Sequence, residues 1–306
     1  MTAHDLRTFP AGMWVLQRLL GLETMPLSLR LAHYIPSGSD HIPVAEYPEY
    51  HSLVAAGIID AAGNVDPVVA DWLTVVSRPD LEVQLTIRRP GDDPATVKEA
   101  VTVICRMDRW IVGIARSPGD AFVVADQIGF TGDPLELPPE WVDTLWVFPV
   151  AEVSAQQAQA DVISTVIIDA LGDYPPAPIE GFNVELNAFL HASGSAPDDK
   201  RFMELLARQG VTAQQVAALT EIKRLDQSAL AVVSARHVWP GASPEDRAVA
   251  RTVSIADTHL GRIAMAQSIS DGGTCWVSVW PGHPTTLHSD ISGFVADVLD
   301  MPAPAR

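Results

Sequence analysis

A chain of 306 residues with 47% hydrophobic side chains and a mean hydropathy of +0.15 can bury a sizeable core, which excludes disorder as a whole. Its 38 acidic and 20 basic residues leave a formal charge of −18, a field that repels phosphate backbones and anionic membranes. Nucleic-acid binding and membrane adhesion are therefore disfavoured, whereas basic partners are attracted.

The first residues, Met1 to Asp5, carry neither a basic nor an apolar leader pattern. Leu6 to Phe9 reads as a short edge strand. Pro10 opens a helix with Trp14, Leu16, Leu19 and Leu20 as apolar positions, and Gly21 stops it. Pro26 to His33 alternates leucines with Ser28, Arg30 and Ala32, which predicts a half-buried strand. Ser37 to Pro43 is a loop, and a helix from Pro48 ends at Gly57.

Asp66 is placed to cap a helix whose first residue is Pro67, where a missing N–H costs nothing. Val69, Trp72, Leu73 and Val76 give that helix one apolar stripe. Leu81–Arg89, Val97–Arg106, Trp110–Ala115 and Phe122–Asp126 then read as strands. The polar loop Pro90 to Pro94, the pair Met107-Asp108, and Ser117 to Asp120 separate them. Pro138 to Ala160 and Val162 to Leu171 read as helical or irregular, and the latter run is too short to span a bilayer. Tyr174 to Pro178 breaks the chain. Phe182–His191 and Asp198–Gln209 are expected as helices, followed by a third with a capping box, Thr212 with Gln215.

Four more strand patterns follow, Leu230–His237, Val249–Ala256, Arg262–Ile269 and Thr274–Trp280, before an amphipathic helix over Thr285–Asp300. Trp276 and Trp280 share one side of their strand, opposite Cys275, Val277 and Val279. Short breaks between alternating runs signal hairpins, so the sheet is expected to be largely antiparallel. Val65-Asp66-Pro67…Leu73-Thr74…Arg78…Asp80 returns as Val211-Thr212-Ala213…Leu219-Thr220…Arg224…Asp226, and the order of elements after it returns too. The fold class is thus α+β. It comprises a central, largely antiparallel sheet flanked by helical bundles, with a pseudo-twofold repeat. One domain is expected, made of halves at about 1–135 and 179–306 joined by a helical or irregular segment.

No catalytic pattern accompanies this scaffold. His283 and His288 lack companions for a metal site, and His33 and His41 flank a loop. Asp257-Thr258-His259 suits a hairpin turn, and Gly194-Ser195 lies in a small-residue loop without a nucleophile elbow. No glycine-rich phosphate cradle follows a strand. Cys105 and Cys275 sit in apolar strand patterns, which favours buried thiols over a disulfide. No cofactor, no metal and no enzymatic activity are expected.

Gly57-Ile58-Ile59-Asp60…Gly63…Val65-Asp66-Pro67…Trp72, Asp257-Thr258…Leu260-Gly261-Arg262-Ile263 and Trp276-Val277-Ser278…Pro281-Gly282 resemble the signatures of the EspG family, from about Leu6 to Met301. Members of that family are cytosolic chaperones of mycobacterial type VII (ESX) secretion. The resemblance implies a cytoplasmic protein that binds a PE–PPE heterodimer through the PPE subunit. It would shield that subunit's hydrophobic tip and direct the pair to its secretion system. The family uses its sheet and C-terminal bundle for this, so the implied partner surface comprises Arg88, Arg89, Asp92 and Asp93 near one loop. It adds Val232, Ser234 and Arg236 on a strand, and Phe202, Leu205 and Gln214 in the bundle. In that reading the apolar members receive the tip and the arginines set register. The alternative is a small-molecule-binding or hydrolytic α+β domain with a sheet cavity, and a self-associating protein would turn the same surface into a homodimer.

Overall fold

A computed structural model describes residues 5–31, 43–91, 96–128, 130–195, 198–224, 226–239 and 251–301. The chain divides into two compact units. The first is built from residues 1–84, 100–159 and 237–243, and the second from 85–99, 160–236 and 244–306.

In the first unit, strand β1 (Leu6–Thr8) leads into helix α1 (Pro10–Leu20). Pro10 takes the first helical position, and Gly21 closes the helix in the left-handed region at φ 63°. Every residue from Pro10 to Gln17 is buried, so α1 is a core helix and not a surface one. Helices α2 (Pro48–Ala55) and α3 (Pro67–Ser77) follow. The Asp66 carboxylate accepts the N–H groups of Val68 at 2.8 Å and Val69 at 3.3 Å, as its position in sequence predicts. Asp66→Ala should therefore lower stability by about 1 kcal/mol in chemical denaturation, with an unchanged dependence on denaturant.

Strands β2 (Leu81–Pro90), β3 (Val97–Met107) and β4 (Trp110–Ser117) come next. The outer ends of β2 and β3 belong to the second unit. Helices α4 (Ala121–Ile128) and α5 (Pro139–Val142) precede β5 (Thr144–Glu152). The strand order in this unit is β1-β5-β4-β3-β2, and each pair whose register is defined is antiparallel. Its core packs Met13, Leu16, Leu29, Leu73, Val76, Val103, Cys105, Leu145 and Val147.

The second unit contains α6 (Gln156–Leu171, from Ala160 on), β6 (Phe182–Glu185) and three helices, α7 (Leu186–Ser195), α8 (Asp199–Ala207) and α9 (Ala213–Ile222). Strands β7 (Ala229–His237), β8 (Arg251–Thr258), β9 (Gly261–Ile269) and β10 (Cys275–Pro281) and the last helix, α10 (Pro284–Leu299), complete it. Its strands run β7-β8-β9-β10-β6, again antiparallel. The predicted capping box is present, with Thr212 Oγ1 accepting from Gln215 N and Gln215 Oε1 accepting from Thr212 N. In both units, a meander of four strands ends beside the strand that opens the unit's chain order, β1 or β6.

Four expectations need correction. Phe122–Asp126 is helical, because the Asp120 carboxylate caps the N–H groups of Phe122 and Val123, and a short apolar run fits either period. Pro26–His33 is not a strand over its described residues: Leu27–Leu29 form a 3₁₀ turn, stopped by Arg30 at φ 48°. Phe182–Glu185 is a strand, and only then does the helix begin. Thr144–Glu152 form β5, within the stretch Pro138 to Ala160 expected to be helical or irregular. The register shifts at Ile111/Val112, and Pro149 falls at this bulge, where a missing N–H is tolerated.

Arg262, at the start of β9, organises the second unit. Its side chain is 1% exposed and forks onto Asp257, with Nε 2.6 Å from Oδ1 and Nη2 2.9 Å from Oδ2. Nη1 donates to Gly172 O at 2.9 Å and Nη2 to Leu171 O at 3.2 Å, at the end of α6. Its backbone N–H bonds Pro175 O, and its carbonyl accepts from Ala177 N and Gly282 N. Gly261 has φ 121°, and a Cβ there would lie 2.6 Å from Ala177 N; one on Gly282 would lie 2.3 Å from Arg262 Cγ. The proline-rich stretch is thereby pinned before it enters β6 and the bundle.

Candidate functional site

The site named from sequence lies in the second unit. On β7, Ala231, Val233 and Ala235 are buried, while Leu230, Val232, Ser234 and Arg236 are half-buried, so the two faces of this strand differ. Register shows which face is which. Leu230 pairs Ala256, which pairs Ile263, and Val232 pairs Ser254, which pairs Met265. Ile263 and Met265 pack with Val216 and Leu219 of α9 and with Val277 and Val279 of β10. The α7–α9 bundle therefore covers this face over β9 and β10. None of its described core residues comes from β7. Val232 and Ser234, half-buried and outside that core, form a shelf on the strand that neighbours β2.

The remaining named residues fall around this shelf unequally. Arg88 on β2 is exposed and bound to Glu99 of β3 at 2.7 Å; Arg89 is exposed. Asp92 and Asp93 lie outside the described residues. Gln214 is exposed at the start of α9, where its amide donates to Pro178 O. Leu205 on α8 is half-buried. Phe202 is fully buried, edge-on to Phe189 at 6.4 Å, with Lys223 Nζ 4.2 Å from its ring centroid. Its ring supports the surface from beneath. Such an aromatic–cation contact contributes about 0.5–1 kcal/mol at an exposed site.

Polar contacts at the C-terminal end of α9 went unread in the sequence. Glu221, buried despite its charge, holds Arg224 at 3.0 Å and His259 Nδ1 at 2.7 Å. His259 sits in the β8–β9 turn, as its neighbours Asp257 and Thr258 suggested, so the turn is tied to the bundle.

A second concavity runs along α10. It is an open groove of ≈ 1210 Å³ lined by Thr252, Gln267, Ser278, Trp280, Ser289 and Asp290, among others. Burial raises the Asp290 pKa above the ordinary carboxylate value, partly offset by the Trp280 indole N–H. That N–H lies near the carboxylate without a hydrogen bond of normal geometry. The folded protein thus holds the Asp290 proton more tightly than the unfolded chain does. The resulting penalty is complete above the raised pKa and vanishes as pH falls below the ordinary carboxylate range. Asp290→Asn should accordingly melt higher than the parent at pH 7, and the gain should shrink as thermal scans move towards pH 3.

Among the described residues, no three His, Cys, Asp or Glu side chains converge to hold a metal ion. No described helix is long and apolar enough to cross a membrane.

The EspG family model matches residues 10–293. The chain belongs to the EspG family. Among its relatives, the ESX-2 secretion-associated protein EspG2 of Mycobacterium tuberculosis is 27% identical over 296 residues, covering 96% of this chain and 94% of the relative. The ESX-5 secretion-associated protein EspG5 of Mycobacterium marinum is 27% identical over 295 residues, covering 92% and 90%. In fold, the chain is similar to the Mycobacterium tuberculosis type VII secretion system chaperone EspG5, solved in complex with a PE25-PPE41 dimer. The TM-score is 0.68 at 22% identity, with 96% of each chain covered. The α+β class with extensive antiparallel sheet, expected from sequence, is the class of this EspG-family fold.

Proposed function

We propose that this EspG-family protein is a cytoplasmic chaperone that binds the PPE subunit of a PE–PPE heterodimer, keeps its hydrophobic tip out of water and directs the pair to a type VII secretion system. The observation that carries this reading is the family match along nearly the whole chain, together with a relative of the same fold solved on a PE–PPE pair. The shelf on β7 supports it. A half-buried face flanked by a helical bundle offers apolar contact at Val232 and Leu205, with polar groups at the rim in Ser234 and Gln214. Phe202 stiffens the bundle from within. Arg88, Arg89 and Arg236 set register through charge-assisted hydrogen bonds, with Arg88 exchanging its Glu99 partner for one on the client. The protein acts by covering surface and carries out no reaction.

We also infer that the two units descend from one repeated plan, since β2-β3-β4-β5-β1 and β7-β8-β9-β10-β6 have the same connectivity. In this reading the first copy extends through β5, past residue 135.

The test is co-expression with a panel of PE–PPE pairs followed by size exclusion. A one-to-one-to-one complex with at least one pair is expected. A folded protein that elutes alone from every pair counts against the proposal.

A further inference from the structure

The first unit carries a surface that the proposed client site does not use. Helix α4 turns Ala121, Val124 and Ala125 inward against Leu137, Val142 and Trp141. Its opposite side should be polar, yet Phe122 is 60% exposed and Val123 51% exposed. Leu135, on the adjoining 3₁₀ turn Pro134–Glu136, is 72% exposed. A helix that is apolar on both sides is normally covered on both. Here the outer side is open, and its apolar residues are large.

Charge indicates what covers it. The sequence has no Lys or Arg between Arg116 and Lys200. Arg116 is itself engaged, holding Asp143 at 2.8 Å. Asp120 and Asp126, at the start of α4 and on it, and Asp133 and Glu136, at the start of the adjoining 3₁₀ turn and on it, are all exposed. At helical spacing, Asp126 lies one turn from Phe122 on the outer face. A second copy of this chain would bring these carboxylates against their own images, so self-pairing through this face is disfavoured.

We propose that the outer face of α4, extended by Leu135, docks a cationic amphipathic helix of a partner protein, whose apolar stripe covers Phe122 and Val123 while its Lys or Arg side chains reach Asp126 and Glu136. This is the helix-on-apolar-surface mode of recognition, with the acidic rim selecting for basic partners and accelerating encounter. It uses none of the residues of the client shelf on β7.

The test uses the full chain and three synthetic 18-residue probes. One is an amphipathic helix with leucine on one face and lysine on the other. The second replaces every lysine by glutamate, and the third scrambles the first so that no face forms. Binding is followed by fluorescence anisotropy at 0.15 M salt. The lysine probe should bind, weaken at least tenfold against the Phe122→Ser/Val123→Ser double variant, and lose salt sensitivity against Asp126→Asn/Glu136→Gln. The serine variant keeps every charge, which separates docking at this face from general attraction to an acidic protein. All four positions are at the surface, so the variants should melt within about 2 °C of the parent; Leu135→Ser replaces the double variant if that one fails to fold. The proposal is overturned if the lysine probe fails to bind, binds the serine variant equally well, or is matched by the glutamate or scrambled probe. It is also overturned if sedimentation reveals a homodimer that the serine variant abolishes, since a second copy would then be the occupant.

Discussion

Arg262→Ala should destabilise the protein by about 3–5 kcal/mol, the range for leaving one partner of a buried ion pair behind. The melting temperature should fall by roughly 10 °C. The size of the effect follows from what the guanidinium does. It neutralises Asp257 through two parallel hydrogen bonds and satisfies two carbonyls at the end of α6. It also lies 5.9 Å from the centroid of the Tyr174 ring, whose hydroxyl donates to Thr258 O. Alanine would remove all five donors and leave a cavity. Arg262→Lys keeps the charge but cannot fork, so it should fall between the two. The paired change Asp257→Asn should cost less in the Arg262→Ala background than in the parent, because the guanidinium is then already gone and the change only removes an orphaned carboxylate. Thermal melts of the four variants measure this. A loss under 2 °C for Arg262→Ala would mean that the segment is held by its backbone bonds alone.

Val232→Glu should abolish the proposed client complex, weakening it a hundredfold or more, while changing stability by under 1 kcal/mol. Val232 is half-buried and outside the bundle core, so a carboxylate there keeps contact with water in the free protein. In a complex, it would be buried opposite an apolar tip without a counter-charge, and a central hot spot of this kind is worth about 2 kcal/mol or more. Ser234→Glu should act in the same direction more weakly, lying nearer the rim. The readout is size exclusion of co-expressed protein, with denaturation of the free variant as control. Undiminished complex with a charge at both positions would move the client off this shelf.

Elements with strong local chemistry could be read from the sequence. Asp66 and Thr212 cap where their spacing says they should, and the β8–β9 and β9–β10 hairpins fall at their glycines and aspartates. Two of the misread elements, β5 and β6, are decided by partners distant in sequence. Strand β5 exists because β4 and β1 pair it on both sides, and its proline is accommodated by a bulge. Phe182–Glu185 is drawn into strand by β10 before helical preference takes over. The site was less readable than the fold. Alternation along β7 put Val232, Ser234 and Arg236 on one face, but nothing local distinguished the open face from the covered one. Phe202 looked like a surface anchor because its burial under Lys223 depends on how three helices fold back together. Arg262 stood inside a segment that resembles the EspG family. A charged side chain in the middle of Gly-Arg-Ile was the available hint that this segment marks a buried ionic hub.

Strands β1 and β6, each last in its unit's strand order, are three and four residues long, whereas the other described strands run to between seven and eleven. If the proposed chaperone role holds, the protein's own free strand edges are a particular hazard, because they can template the addition of further chains. Edges this short offer too few N–H and C=O groups to hold a passing strand. Short edges would thus keep a chaperone of this kind from seeding a fibre from the polypeptide it handles.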